Sequence, residues 1–198
     1  VYRGAFGLAN ADWKIPNTID TKFRLASITK QFTAMRTLLL VRDGKLALDA
    51  PITHYLKDYP AASGDKVTIH HLLNHTSGIP SYTSREGFMQ RDALHSLPVN
   101  EFVAKYCSGA LEFEPGSEFR YNNSGYFLLG LVIEAVTGMA YEDVIEERLR
   151  AGVPARGIAV ERLETDGVEI SPQVPSQRVR LGVPVVPDGI GCEGHAIS

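Results

Sequence analysis

The chain has 198 residues, 44% of them hydrophobic and 22% charged, with a formal net charge of −3. This length suits one ordinary domain with its own core, and the weak negative charge offers no basic footprint for nucleic acid or an anionic membrane. No apolar run reaches the roughly 18–20 residues of a membrane-spanning helix; the longest, Phe127 to Val136, is short and interrupted by Glu134.

In chain order, Val1 to Asn10 mixes large apolar residues with Gly4 and Gly7 and predicts a strand with a bulge. Val1 opens it without a signal-like segment, so any export signal is expected to have been removed or never to have been present. Trp13 and Pro16 read as connection, and Phe23–Leu25 as a short strand leading into a helix. Ile28, Phe32, Met35 and Leu39 recur at helical spacing, with Asp43–Gly44 as the stop. Leu46 to Tyr59 reads as a loop with one helical turn. A short helix over residues 67–74, capped by Thr68, ends at His75–Gly78. Ser81 to Pro98 is polar and reads as loop, and Asn100 to Cys107 as a helix. After the turn at Glu114–Gly116, an extended piece through Tyr121 leads to a helix from about Gly125 to Thr137, closed by Gly138. That helix is apolar almost all round and is expected to be buried. Tyr141 to Arg150 predicts one more, amphipathic helix with an acidic, solvated face.

Two groups of residues can carry chemistry. Ser27 and Lys30 are one helical turn apart near a helix start, so the amine can approach the hydroxyl and help make it a nucleophile. The same spacing also describes an N-cap serine followed by a solvated lysine. Tyr121 and Asn123 lie two apart in an extended stretch and so point the same way. A tyrosine beside cations can act as acid or base, and an asparagine offers both a donor and an acceptor; a core tyrosine with a capping asparagine fits equally. His70, His71 and His75 lack a further ligand at metal spacing, and His75 is expected to be structural. Cys107 and Cys192 read as isolated thiols.

Taken together, these stretches resemble the serine β-lactamase and penicillin-binding-protein superfamily, in its class C β-lactamase, DD-peptidase and family VIII esterase branch. The resemblance runs through Thr21–Ala34, Gly44–Ile52, Ile69–Ile79 and Glu114–Gly130, covering about residues 1–149. It implies an α/β (α+β) fold, an antiparallel sheet flanked by helices, with a helical subdomain carrying Tyr121. It further implies that Ser27 is the acylated nucleophile, that Lys30 and Tyr121 share its proton, and that Asn123 holds Lys30 and the substrate amide. The implied activity is a serine hydrolase acting through an acyl-enzyme on β-lactam, D-alanyl peptide or small ester substrates. No metal or cofactor is implied. The implied location is periplasmic or secreted, with a cytoplasmic one left open.

The sequence also departs from that pattern. The eight tyrosines, eight phenylalanines and single tryptophan all lie at or before Tyr141, and lysine disappears after Lys105. No Lys-Thr-Gly occurs anywhere, and Gly194-His195-Ala196 does not replace it. The expectation is therefore a partial β-lactamase-related domain over residues 1–150. Residues 151–198 are expected to be a divergent, poorly ordered tail of frame-shifted or recombined origin. The rival to a working enzyme is a penicillin-binding-like fragment that does not turn over.

Overall fold

Residues 3–23 and 25–152 are described by the computed structural model. The tail expected over residues 151–198 therefore lies, but for its first two residues, outside the described residues, as does Cys192. The first element is an antiparallel hairpin of β1 (Leu8–Asn10) and β2 (Ile15–Pro16), with an irregular register between Leu8 and Asn10. Its turn is held locally, with Asn10 Oδ1 accepting the Trp13 N–H at 2.8 Å. Pro16 thus belongs to a strand rather than a connection. It is tolerated there because the hairpin is a two-stranded sheet in which every strand is an edge. Phe23 and Leu25 form no strand.

Helix α1 (Thr29–Arg42) follows a 3-10 turn at Ala26–Ile28 and stops where Gly44 adopts φ 70°. Its orientation is the reverse of what hydrophobicity suggests. Met35 is 60% exposed and Ile28 and Leu38 are also exposed, while Thr33, Arg36, Thr37 and Leu40 are buried. The buried threonines are satisfied within the helix, Thr33 Oγ1 donating to Thr29 O and Thr37 Oγ1 to Thr33 O. Burying them therefore leaves no orphaned hydroxyl.

Next come α2 (Ala61–Gly64) and α3 (Ile69–Leu73), the latter opened by a capping box. Thr68 Oγ1 accepts the His71 N–H, and His71 Nδ1 accepts the Thr68 N–H, both at 3.2 Å. Gly78 has φ 71°, and a β-carbon there would lie 2.2 Å from Phe113 O, so glycine is required on two counts. The stretch read as polar loop is built of 3-10 turns, but it contributes Phe88 to the core. Phe88 packs with Tyr82, Phe102 and Tyr106. Helix α4 (Val99–Phe102) runs into a π turn at Val103–Cys107. Cys107 is fully buried, and burial pushes its thiol up to about 12, which leaves it inert.

Helix α5 (Asn123–Thr137) is the centre of the core. Its start is capped by Asn122, whose Oδ1 accepts the Gly125 N–H at 2.8 Å and whose Nδ2 donates to Ile79 O. Gly138, at φ 69°, ends it in a left-handed turn. Leu128, Leu129, Val132 and Ile133 are fully buried, each worth about 1.5–3 kcal/mol. The helix packs against α1, α3 and the last helix, α6 (Tyr141–Gly152). Tyr141 ties α6 to both neighbours: its N–H donates to Glu134 Oε1 at 2.9 Å, and its hydroxyl meets Thr33 Oγ1 at 2.6 Å. The fold is thus mixed helix and strand with a short antiparallel sheet. Among the described residues, no helix is long and apolar enough to cross a membrane.

Candidate active site

Two segments more than ninety residues apart meet at one exposed corner. Ser27 sits in the 3-10 turn just before α1 rather than in its first α-turn. Ala26, directly before it, holds φ 45°, a left-handed conformation that costs a non-glycine residue about 1–3 kcal/mol and is typical of residues at working sites. Lys30 follows on the first turn of α1. Tyr121 ends the extended run into α5, and Asn123 is the first residue of that helix.

The four side chains form one network. Ser27 Oγ lies 2.7 Å from Tyr121 Oη. Lys30 Nζ donates to Ser27 Oγ at 3.3 Å and to Asn123 Oδ1 at 2.7 Å. The same ammonium stands 4.8 Å from the centre of the Tyr121 ring and 5.6 Å from that of Tyr126. All four residues singled out in the sequence are therefore brought together. The alternative of a capping serine beside a solvated lysine does not describe the arrangement, since Ser27 makes no side-chain cap and Lys30 is engaged.

Electrostatics single out Tyr121. Burial pushes its phenol up, but the bonds from Lys30 and Ser27 and the Lys30 charge together outweigh burial and bring it below its ordinary value of 10.0. Nearby tyrosines move the other way: burial raises Tyr82 to about 12 and also raises Tyr126 and Tyr141. Tyr121 is thus the phenol at this corner best suited to give up and regain a proton.

His75 supports the site from behind. Its backbone holds φ 62°, its Nδ1 accepts the Asn122 N–H at 3.1 Å, and its carbonyl accepts the Arg120 N–H at 2.9 Å. Its ring lies 4.7 Å from that of Tyr121 and 5.0 Å from that of Tyr126. Burial, then the Lys30 charge, lowers its pKa, and an Nδ1 that accepts the Asn122 N–H is unprotonated, so the neutral ring is favoured. His71 and His75 each spend Nδ1 on a backbone N–H. Among the described residues, no three histidine, cysteine or carboxylate side chains gather as a metal site.

Sequence reasoning missed two contributors. Thr83 Oγ1 accepts from Asn123 Nδ2 at 2.8 Å, and Ser81 Oγ accepts the Asn123 N–H at 3.2 Å. Both lie in the stretch read as polar loop, forty residues from their partner, where no local pattern announces them.

Comparison with known proteins follows the same outline. The family model described as Beta-lactamase matches residues 1–189. Penicillin-binding protein 4* of Bacillus subtilis is 34% identical over 174 residues, covering 85% of this chain and 38% of that protein. Esterase EstB of Burkholderia gladioli is 33% identical over 207 residues, covering 96% of this chain and 53% of its own. Among solved structures, a penicillin binding protein from Bacillus halodurans superposes with a TM-score of 0.63 at 38% identity, over 74% of this chain and 44% of that one. The D-amino acid amidase from Ochrobactrum anthropi SV3 gives 0.60 at 33%, over 74% and 39%. The chain spans about half or less of the length of these relatives.

Proposed function

The chain belongs to the beta-lactamase family, and from that premise we propose that it is a serine hydrolase working through an acyl-enzyme on Ser27. The observation that carries this reading is the placement of Ser27 Oγ within hydrogen-bond reach of both Tyr121 Oη and Lys30 Nζ. An ammonium has only donors, so a charged Lys30 donates to Ser27 Oγ and leaves the serine proton pointing at Tyr121. Tyr121 Oη, whose phenolate form the Lys30 charge favours, takes that proton as the phenolate while Ser27 Oγ attacks the substrate carbonyl, and becomes the neutral phenol. When the tetrahedral adduct collapses, the same proton passes from Tyr121 to the departing nitrogen or oxygen. Water then repeats the cycle on the ester, with Tyr121 again as base. Lys30 supplies positive charge beside both oxygens, and Asn123 fixes Lys30 and offers its amide to the substrate.

The substrate class we propose is a β-lactam, a D-alanyl peptide or a small ester. An esterase and a D-amino acid amidase among the relatives support acyl transfer to water in that range. A second reading is acylation of Ser27 without turnover. A fluorescent penicillin combined with nitrocefin and p-nitrophenyl ester assays separates the two. Turnover supports the hydrolase, a label on Ser27 with slow release supports the second reading, and neither label nor turnover contradicts both.

A further inference from the structure

An asparagine side chain has two ends of nearly the same shape, one an acceptor and one a double donor. Which end faces Lys30 depends on what each end can bond. Lys30 requires the oxygen. The opposite end then needs an acceptor, and Thr83 Oγ1 supplies it at 2.8 Å. Residues 81–83 grip the start of α5 in succession. Ser81 Oγ takes the Asn123 N–H, and the Tyr82 N–H donates to Ser124 Oγ at 3.0 Å. Ser81 Oγ stands 3.1 Å from Thr83 Oγ1 and can exchange a hydrogen bond with it. The Ser81 and Tyr82 contacts engage the main chain on at least one side and serve the fold. The Thr83 contact alone ends on the Asn123 side-chain amide, one bond removed from Lys30.

Resting on the reading of Ser27 as nucleophile, we infer that Thr83 is a positioning residue. Its hydroxyl holds the Asn123 amide with Oδ1 turned to Lys30, and so fixes where the Lys30 ammonium stands relative to Ser27 Oγ and Tyr121 Oη. Removing the hydroxyl leaves the Asn123 NH₂ without its partner and frees the amide to swing, and Lys30 with it. The effect includes the acylation step, which the rate of labelling reads.

The test compares Thr83→Val, Thr83→Ala and Thr83→Ser in the 198-residue chain. One readout needs no activity: the side-chain NH₂ signal of Asn123 in ¹⁵N-labelled protein, assigned by its loss in Asn123→Ala. That signal is expected to move toward a free amide in the Val and Ala variants and to stay in place in the Ser variant. The second readout is the rate of labelling of Ser27 by a fluorophosphonate. It is expected to fall about three- to tenfold in Val and Ala, the scale of one neutral hydrogen bond, and to be restored by Ser. An unmoved Asn123 signal in both hydroxyl-free variants overturns the inference, as does wild-type labelling in both. If wild-type protein takes no label, the nucleophile reading fails, while the amide signal still decides the role of Thr83. If both hydroxyl-free variants unfold, Thr83 serves the fold and the inference is overturned.

Discussion

The body built on α5 and the N-terminal stretch through α1 treat their side chains in opposite ways. Around α5 the large apolar residues are inside: Leu128, Leu129, Val132 and Ile133 are fully buried, as are Ile69 and Leu72 of α3. Before α1 and on its outer face they are outside, while Leu40 is the large apolar residue of α1 that is fully buried. Phe6 is 77% exposed and Phe23 70%, and Trp13, Ile19 and Met35 are exposed as well. The buried side of α1 carries Thr33, Thr37 and Leu40 together with Arg36, 8% exposed, whose Nε and Nη1 have no hydrogen-bond partner among the described residues. The candidate site lies on the seam, with Ser27 and Lys30 from the outward-facing region and Tyr121 and Asn123 from the body. Apolar packing is therefore concentrated in the body, which can be perturbed at positions that touch none of the four site residues.

The sharpest contrast comes from truncating apolar side chains in each region. Leu128→Ala or Ile133→Ala should cost about 2–5 kcal/mol, whereas Met35→Ala or Leu38→Ala should stay within about 0.5 kcal/mol. Urea unfolding measures both, and equal losses would break the comparison. Asn122→Ala comes next, at about 1–3 kcal/mol, because it removes a helix cap and strands the buried Ile79 carbonyl. Replacing Arg36 by Met should leave the urea midpoint unchanged or raise it, since two of its buried nitrogens, Nε and Nη1, have no hydrogen-bond partner among the described residues. A clear drop would mean that the guanidinium has a partner.

The smallest effect is a pH dependence. His75 binds its proton less readily in the folded chain than in the unfolded one, because burial and then the Lys30 charge oppose it. Stability from the neutral ring is thus complete above about pH 6.5. It declines as the pH falls below that value toward the lower folded pKa. The acid-side slope of the thermal midpoint should be shallower in His75→Gln than in the parent. An identical slope would place the titration elsewhere, for instance at His71, which burial also lowers.

Local signals are legible in the sequence because their physics is local. Thr68 caps α3, Gly44 stops α1, and Gly138 closes α5. Helical spacing puts Lys30 within reach of Ser27 but fits a capping serine and a solvated lysine equally, and the meeting of both with Tyr121 and Asn123 is what the family resemblance implies. What depended on distant partners was not legible. The buried side of α1 is chosen by α5 and by Tyr141, about a hundred residues away, so the Ile28–Met35 stripe misleads. Phe88 enters the core from a stretch whose composition reads as loop, because Tyr82, Phe102 and Tyr106 offer it a pocket of rings. Thr83 matters only through an amide forty positions on.

The central claim is that Ser27, Lys30 and Tyr121 act as one nucleophilic unit. It is tested most directly by mass spectrometry of the chain treated with a fluorophosphonate, followed by peptide mapping. The account predicts one adduct, on the peptide containing Ser27. Its formation should slow by about 10²–10⁴ in Lys30→Ala and in Tyr121→Phe, with both variants melting near the parent. An adduct elsewhere, none at all, or labelling of both variants at the parental rate would contradict it.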